Sequence, residues 1–408
     1  MDHDDSINGF KNVNYFLLLI PLFVVYVKYT VKSSKELINK VIHEKSELII
    51  GKDILIKDER IYDDIINRGE MGLAEAYMNG YWTSPDIGKT LYNLMVNQHA
   101  IEDGVKDNSL SFIYQKLKLM VEKYYLNYNN IERSKDNITQ HYDIGNDLYE
   151  KMLGKTMQYT CAYHNKPDID LDEAQLNKME LIAKKLDLKE GMDVLDIGCG
   201  FGTMAYHLAT KYKVNVTGVT LSDNQVNYAK TNLKDSSINI INMDYRNVTG
   251  QFDRVYSVGM FEHVGSQNYT EYFNKCYDLL KEDGLMLCHT MGIAEENNHQ
   301  NEYFASTYIF PGGELPDINN ITNAFSGRWR LEDFQNIGIS YSKTFDAWIK
   351  NIGDWESLEN YDIIFRRMWE YYLHLFAENF RHQNFLLWQF VFTKKSFIRT
   401  EDCNFIRE

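Results

Sequence analysis

The stretch VLDIGCGFGT, residues 194–203, sets Gly198, Gly200 and Gly202 at alternate positions behind Asp196. Glycine tolerates the left-handed backbone that a tight turn needs, and it lets the main chain come close to a ligand. Between a strand and a helix, such a turn serves nucleotide-like ligands; in dinucleotide sites it sets a pyrophosphate on the helix N-terminus. The pattern here is D-x-G-x-G-x-G, without the G-x-G-x-x-G spacing of those sites. Its ordinary alternative is a structural glycine turn. The thiols suggest no second centre: Cys161, Cys199, Cys276, Cys288 and Cys403 are scattered, odd in number and without a CxxC pair. Neither a disulfide framework nor a metal site is expected, and a reducing compartment suits them better. Taken singly, Cys161 reads as a small buried hydrophobe. Glu262 and His263 read as helix caps and His289 as a satisfied core residue.

The elements that must carry the turn are legible from about residue 175. Residues 175–187 have helical apolar spacing, and MDVLDIG (192–198) reads as a buried strand. A helix over 203–211, a strand over 214–220 and a helix over 223–233 follow. Strands are expected at 238–243 and 252–259, a helix at 269–280 and a buried strand at 284–290. Strands alternating with helices specify an α/β fold with a doubly wound, mostly parallel sheet. Residues 293–330 interrupt the alternation as an insertion. A long aromatic helix near 357–382 and a strand, LLWQFVFTK (386–394), close the pattern. Upstream, residues 36–100 mix short β-like runs such as LIIGKDILIKD with helical patterns, and 109–135 reads as a polar, Tyr-rich connecting helix.

The 408 residues carry 58 acids against 43 Lys and Arg, with 44% hydrophobic residues. This is a foldable globular composition. Its net charge of −15 argues against nucleic acid as a partner. Most of the excess acid lies after residue 140. Tyr15–Val27 is an uncharged apolar run, followed by Lys28, Lys32, Lys35, Lys40, Lys45, Lys52 and Lys57 against only Glu36, Glu44, Glu47 and Asp53. The run is shorter than the ~20 residues of a bilayer span and contains Pro21. It is also a poor secretory signal, with acids before it and no cleavage site after it. Lysines beside an apolar segment favour attachment to a membrane surface, possible through residues 15–31.

The glycine turn resembles the first motif of class I S-adenosylmethionine-dependent methyltransferases, which bind an amino acid joined to a nucleoside. An acid commonly ends the second strand of that fold and meets the ribose. Here GVTLSDNQ (218–225) offers the neutral Thr220 and Gln225 instead, while Asp244 and Tyr245 resemble the pair that meets the adenine. Longer motifs narrow the resemblance. QHYDIGNDLYEKMLGKTMQYTCAYH (140–164), SVGMFEHVGSQNY (257–269), HTMG (289–292), YSKTFDAW (341–348) and FRRMWEYYLHLFAENFRHQNFLLWQFVF (365–392) are similar, in order and spacing, to the cyclopropane-fatty-acid synthase family. The mycolic acid cyclopropane synthases are among its relatives. GLAEAYMNGYW, within 68–82, resembles the extra N-terminal lipid-binding domain of the two-domain members.

The resemblance implies methyl transfer from S-adenosylmethionine to the cis double bond of an unsaturated phospholipid acyl chain, giving a cyclopropane. An olefin is a poor nucleophile, so the cofactor's sulfonium supplies the drive. A cation then develops on the neighbouring carbon, which calls for a dry site, aromatic faces and a base to take a methyl proton. The family holds a bicarbonate as that proton acceptor. Matching motifs imply Cys161, Glu262, His289 and Tyr341 as its holders, with Cys161 contributing position rather than a thiolate. Tyr159 and Thr160 resemble the pair over the cofactor's carboxylate, on a loop, 140–163, expected to close over it. Where many members carry a cysteine in the segment matching YYLHLFAENFR, this chain has Phe376.

The implied fold is a Rossmann-like methyltransferase domain over 135–396. Before it lie an apolar and basic extension (1–35) and a smaller α+β lipid-binding domain with its connecting helix (36–134), and after it a tail (397–408). The implied setting is cytoplasmic and peripherally membrane-associated, with a homodimer as a family-level expectation. Three alternatives stand beside this reading: a coclaurine-type amine N-methyltransferase, an acyl C-methyltransferase that stops at a methyl branch, and an inactive lipid-binding protein.

Overall fold

Strands with apolar residues on both faces need helices above and below them. The computed structural model, which describes residues 34–98, 100–101, 145–293 and 300–396, supplies them. The apolar run 15–27, the connecting helix 109–135 and the tail 397–408 lie outside the described residues. The chain divides into two compact units, Met1–Leu126 and Asn127–Glu408.

In the first unit, α1 (Ser34–Ser46), α2 (Arg60–Met78, kinked at Gly69) and α3 (Ile87–Val96) accompany a two-stranded antiparallel ribbon, β1 (Leu55–Ile56) and β2 (Trp82–Thr83). The β-like run LIIGKDILIKD yields little strand. Its chain turns at Gly51, whose N–H donates to Ile54 O, leaving only Leu55 and Ile56 to pair. GLAEAYMNGYW forms the end of α2 and β2, with Trp82 fully buried and its Nε1 donating to Leu73 O at 2.9 Å.

The second unit is a seven-stranded sheet in the order β5-β4-β3-β6-β7-β9-β8. β3 (Asp193–Ile197), β4 (Asn215–Thr220), β5 (Ile238–Asn242), β6 (Phe252–Val258) and β7 (Leu280–Ile293) are parallel. β8 (Trp329–Asn336) and β9 (Phe385–Lys394) complete the sheet, β9 antiparallel to both of its neighbours. The doubly wound α/β architecture expected from the alternation is the one observed.

Helices α4 (Asn146–Leu153), α5 (Leu171–Lys185), α6 (Thr203–Tyr212), α7 (Asp223–Asn232), α8 (Tyr269–Leu279), α9 (Gln300–Tyr308), α10 (Ile318–Phe325), α11 (Gly338–Ile352) and α12 (Ile363–Arg381) surround the sheet. One core packs Ile182 and Leu186, Leu208 and Val226 on one face; the other packs Phe273, Ile321, Trp329 and Phe390 on the opposite face. The aromatic helix starts later than its apolar pattern implies, because Asp362 accepts from the Phe365 N–H and caps it there. The insertion 293–330 holds α9, α10 and the start of β8. That edge strand is half polar, with Leu331 and Phe334 exposed, so it lacks the apolar run of a buried strand. No described helix is long and apolar enough to cross a membrane.

Candidate active site

In open α/β sheets the carboxyl ends of the strands, at the point where strand order reverses, form the natural crevice. Here the reversal lies between β3 and β6, with β7 next along. Ile197 pairs with Ser257 and Val258 with His289, so the glycine turn, the FEH segment and His289 leave the sheet side by side. Two cavities open at this edge.

The second strand end and the glycine turn line the cofactor-like cavity, of about 710 Å³. The N–H groups of Gly198 and Cys199 both donate to Val219 O, at 2.9 and 3.0 Å, which sets the turn. Gly198 has φ +80°, and a Cβ there would lie 2.5 Å from Met260 Cγ. Gly200 has φ +55°, and a Cβ there would meet nothing within 4 Å. Its backbone therefore faces open space, as close ligand approach requires. Gly198, Gly200, Thr220, Gln225, Asp244 and Tyr245 all line this cavity. Gly202 does not; its missing side chain makes room for Leu233 and Ile240 instead. Thr220 Oγ1 donates to Gln225 Oε1 at 2.6 Å, a neutral polar pair at the strand end. Asp244 is engaged by Arg246, Nη2 to Oδ2 at 2.6 Å, with the guanidinium 5.6 Å from the Tyr245 ring centre. Arg246 lines the cavity too and went unread in the sequence, where only its position two residues after Asp244 marks it.

The other cavity, of about 680 Å³, is lined by Cys161, Glu262, His289 and Tyr341 together, as well as by Tyr159 and Thr160. Its remaining wall includes Met291, Phe310, Leu315, Phe376 and Leu387. Tyr159 and Thr160 thus lie on this side rather than in the glycine-turn cavity. Thr160 Cγ2 is 2.8 Å from where a Cβ on Gly259 would stand, at the boundary. Gly259 and His263 line both cavities, so the two meet there. The segment expected as a loop over 140–163 is helical across α4 and forms a 3₁₀ turn at Gly154–Thr156 before reaching Tyr159.

The polar atoms of this cavity are held on one side and open on the other. Glu262, 4% exposed, accepts from the Met291 N–H through Oε1 at 2.7 Å, while Oε2 has no partner. Burial pushes its carboxyl up to about 7 against the pull of the Met291 N–H, its own N–H and the Thr290 hydroxyl. His289 Nδ1 lies 3.1 Å from Gln389 Nε2 on β9, and its Nε2 has no partner. An amide N–H at Nδ1 leaves the imidazole proton on Nε2. Burial, reinforced by the charges of Lys178 and Lys185, holds His289 well below its usual range, so it is neutral. Cys161 is fully buried, its Sγ 3.1 Å from Ala162 O, and burial pushes the thiol up, away from thiolate chemistry. Tyr341 packs its ring against Phe345 and Phe380, at 4.8 and 4.5 Å between centres. His263, at the junction, is lowered to about 4 by desolvation. No group of His, Cys, Asp or Glu among the described residues could hold a metal ion.

Residues 129–390 match the family model described as mycolic acid cyclopropane synthetase. The cyclopropane-fatty-acyl-phospholipid synthase of Escherichia coli (strain K12) is 36% identical over 344 residues, covering 84% of this chain and 88% of that one. A crystal structure of a mycolic acid cyclopropane synthase complexed with SAH and CTAB superposes with a TM-score of 0.60 at 32% identity, covering 64% of this chain and 98% of that one. Coclaurine N-methyltransferase bound to N-methylheliamine and SAH superposes at 0.64 with 21% identity, covering 80% and 99%, a likeness of fold.

Proposed function

The chain belongs to the mycolic acid cyclopropane synthetase family, and we propose that it uses S-adenosylmethionine to convert the cis double bond of an unsaturated phospholipid acyl chain into a cyclopropane, with a bicarbonate as proton acceptor. The observation that carries the reading is the pair of buried, unpartnered atoms, Glu262 Oε2 and His289 Nε2, in one cavity beside the glycine-turn cavity. Buried polar atoms are rarely left unpaired without a purpose. A small planar acid with both donor and acceptor oxygens suits those two atoms: neutral His289 would donate to it and Glu262 would share a proton with it. Two carboxylates that close cannot both stay ionised, so a Glu262 already raised to about 7 suits the arrangement.

Gly200, Thr220, Gln225 and the Asp244–Tyr245 pair, which line one cavity, would hold S-adenosylmethionine, and the cofactor would supply an electrophilic methyl. His263 stays neutral at the junction, which spares a sulfonium the repulsion of a nearby imidazolium. Met291, Phe310, Leu315 and Phe376 supply the apolar wall for an acyl chain and exclude water. Tyr159, Tyr341 and Phe310 bring aromatic rings to the same cavity, where a positive charge on carbon is stabilised. The length of the match to the E. coli phospholipid enzyme, which extends beyond the methyltransferase domain, supports a phospholipid substrate and an N-terminal domain that meets lipid at the membrane surface.

The test is incubation of the purified protein with methyl-labelled S-adenosylmethionine and vesicles of monounsaturated phospholipid, followed by mass spectrometry of the acyl chains. A gain of one methylene with loss of the double bond is expected. Equal labelling of saturated vesicles would refute olefin chemistry, and a methyl-branched product would refute ring closure.

A further inference from the structure

Lys178, on α5, is 0% exposed, and among the described residues no carboxylate lies within ion-pair distance of it. Its Nζ donates to Gln158 Oε1 and to Thr160 Oγ1, both at 2.7 Å. One turn earlier on the same face, Gln175 Nε2 donates to Thr160 O at 2.8 Å. Gln158 in turn donates through Nε2 to Thr203 Oγ1 at 2.5 Å, at the start of the helix that follows the glycine turn. The ammonium therefore grips the short segment that delivers Tyr159, Thr160 and Cys161 to the cavity of Glu262 and His289 and ties it to the cofactor-like turn.

A buried ammonium without a counter-ion is strongly disfavoured. The charged and titratable groups that face it are Cys161 from the gripped segment, Asp196 from β3 and His289 from β7. None of them neutralises it directly. Asp196 is itself buried, held by the Tyr256 hydroxyl at 2.7 Å and raised to about 7. Cys161 is a protonated thiol and His289 is neutral. Through its hydrogen bond to Thr160 Oγ1, the ammonium stands behind the cavity that Thr160 lines together with Glu262 and His289.

Resting on the bicarbonate reading above, we infer that Lys178 is the counter-cation of the anion in the cavity of Glu262 and His289, acting through Thr160 as a positioning residue. A bicarbonate and Glu262 that share one proton carry one net negative charge, which the ammonium behind Thr160 balances.

The test measures turnover in carbon-dioxide-depleted buffer with bicarbonate added back. Lys178→Met, which keeps the apolar stem, and Lys178→Gln, which keeps a donor without the charge, should each raise the bicarbonate concentration for half-maximal turnover at least tenfold. Affinity for S-adenosylhomocysteine, read by calorimetric titration, should change less than twofold in both. Half-saturation unchanged in either folded variant overturns the inference. In the unaltered protein, acetate should compete with bicarbonate while neutral acetamide does not, which holds whether or not the variants fold; equal inhibition by the two also overturns it. Turnover of the unaltered protein that ignores bicarbonate overturns the bicarbonate reading itself, and the role of Lys178 with it.

Discussion

Glu262→Gln separates what this carboxyl does for the reaction from what it costs the fold. Its folded pKa is about 7, against an ordinary 4.5, and the cause is burial. A carboxyl raised in this way favours the folded state fully below 4.5, and that contribution is lost as pH rises towards 7. The gap of about 2.5 units, at ~1.4 kcal/mol each, amounts to roughly 3 kcal/mol, most of it falling between about pH 5 and pH 8. Glutamine keeps an oxygen for the Met291 N–H and carries no charge, so the variant should escape this loss. Urea unfolding near pH 5 and near pH 8 should show the stability difference, variant minus unaltered protein, growing by about 2–3 kcal/mol at the higher pH. Turnover should fall by a factor on the order of 100 or more, because the bicarbonate would lose the carboxyl that orients and tunes it as proton acceptor. Affinity for S-adenosylhomocysteine should not change, because Glu262 does not line the glycine-turn cavity. A stability difference equal at both pH values would refute the burial argument, and undiminished turnover would refute the assignment of Glu262 as a holder of the bicarbonate.

Gly200→Ala sends a methyl into the open space of the glycine-turn cavity, so S-adenosylhomocysteine affinity should drop at least tenfold in a calorimetric titration. The fold should lose only the ~1–2 kcal/mol of a left-handed alanine. Unchanged affinity would mean that the cofactor does not approach the turn. Lys185 and Asp333 form an ion pair at 2.9 Å, 1% and 4% exposed, between α5 and the edge strand β8. Asp333→Leu should cost about 3–5 kcal/mol by urea unfolding, and the added change Lys185→Met should recover much of it. A double variant no better than the single would count against a desolvation cost. Cys161→Ser should retain more than a tenth of the turnover, since the raised thiol does no covalent work and serine can still donate to Ala162 O. Complete loss would reinstate a thiolate step.

The parallel strands were legible because each is a short apolar run between helical patterns, and the glycine turn because three alternate glycines permit few other conformations. Glu262 and His289 come to one cavity through the neighbouring strands β6 and β7, while Cys161 reaches it from the segment before α5 and Tyr341 from α11. Local pattern could not show which polar side chains turn inward. Lys178 sits in a helix whose apolar spacing marks one face, and nothing in NKMELIAKK says that its ammonium is fully buried. Gln389 lies in a strand that reads as uniformly apolar, so its amide behind His289 emerges only from the pairing of His289 with Gln389. The glycines are legible as a group and not one by one: Gly200 faces ligand space, while Gly202 clears the core for Leu233 and Ile240. The edge strand β8 escaped notice because one-sided burial leaves it too polar to stand out.

The place of β9 bears on the order in which the molecule can be made. β9 comes last in the chain among the described elements, yet it lies between β7 and β8, with Gln389 set against His289. Strands β3 to β7 can pair as they emerge during synthesis, but β7 keeps an open hydrogen-bonding edge and β8 has no neighbour until residues 385–394 arrive. Open apolar edges invite pairing between chains. A chain cut short before Phe385 would therefore expose β7 and carry a His289 whose ring orientation nothing enforces. Completion of the sheet and completion of the site are one event, which makes catalytic competence a report on whether the last strand has docked.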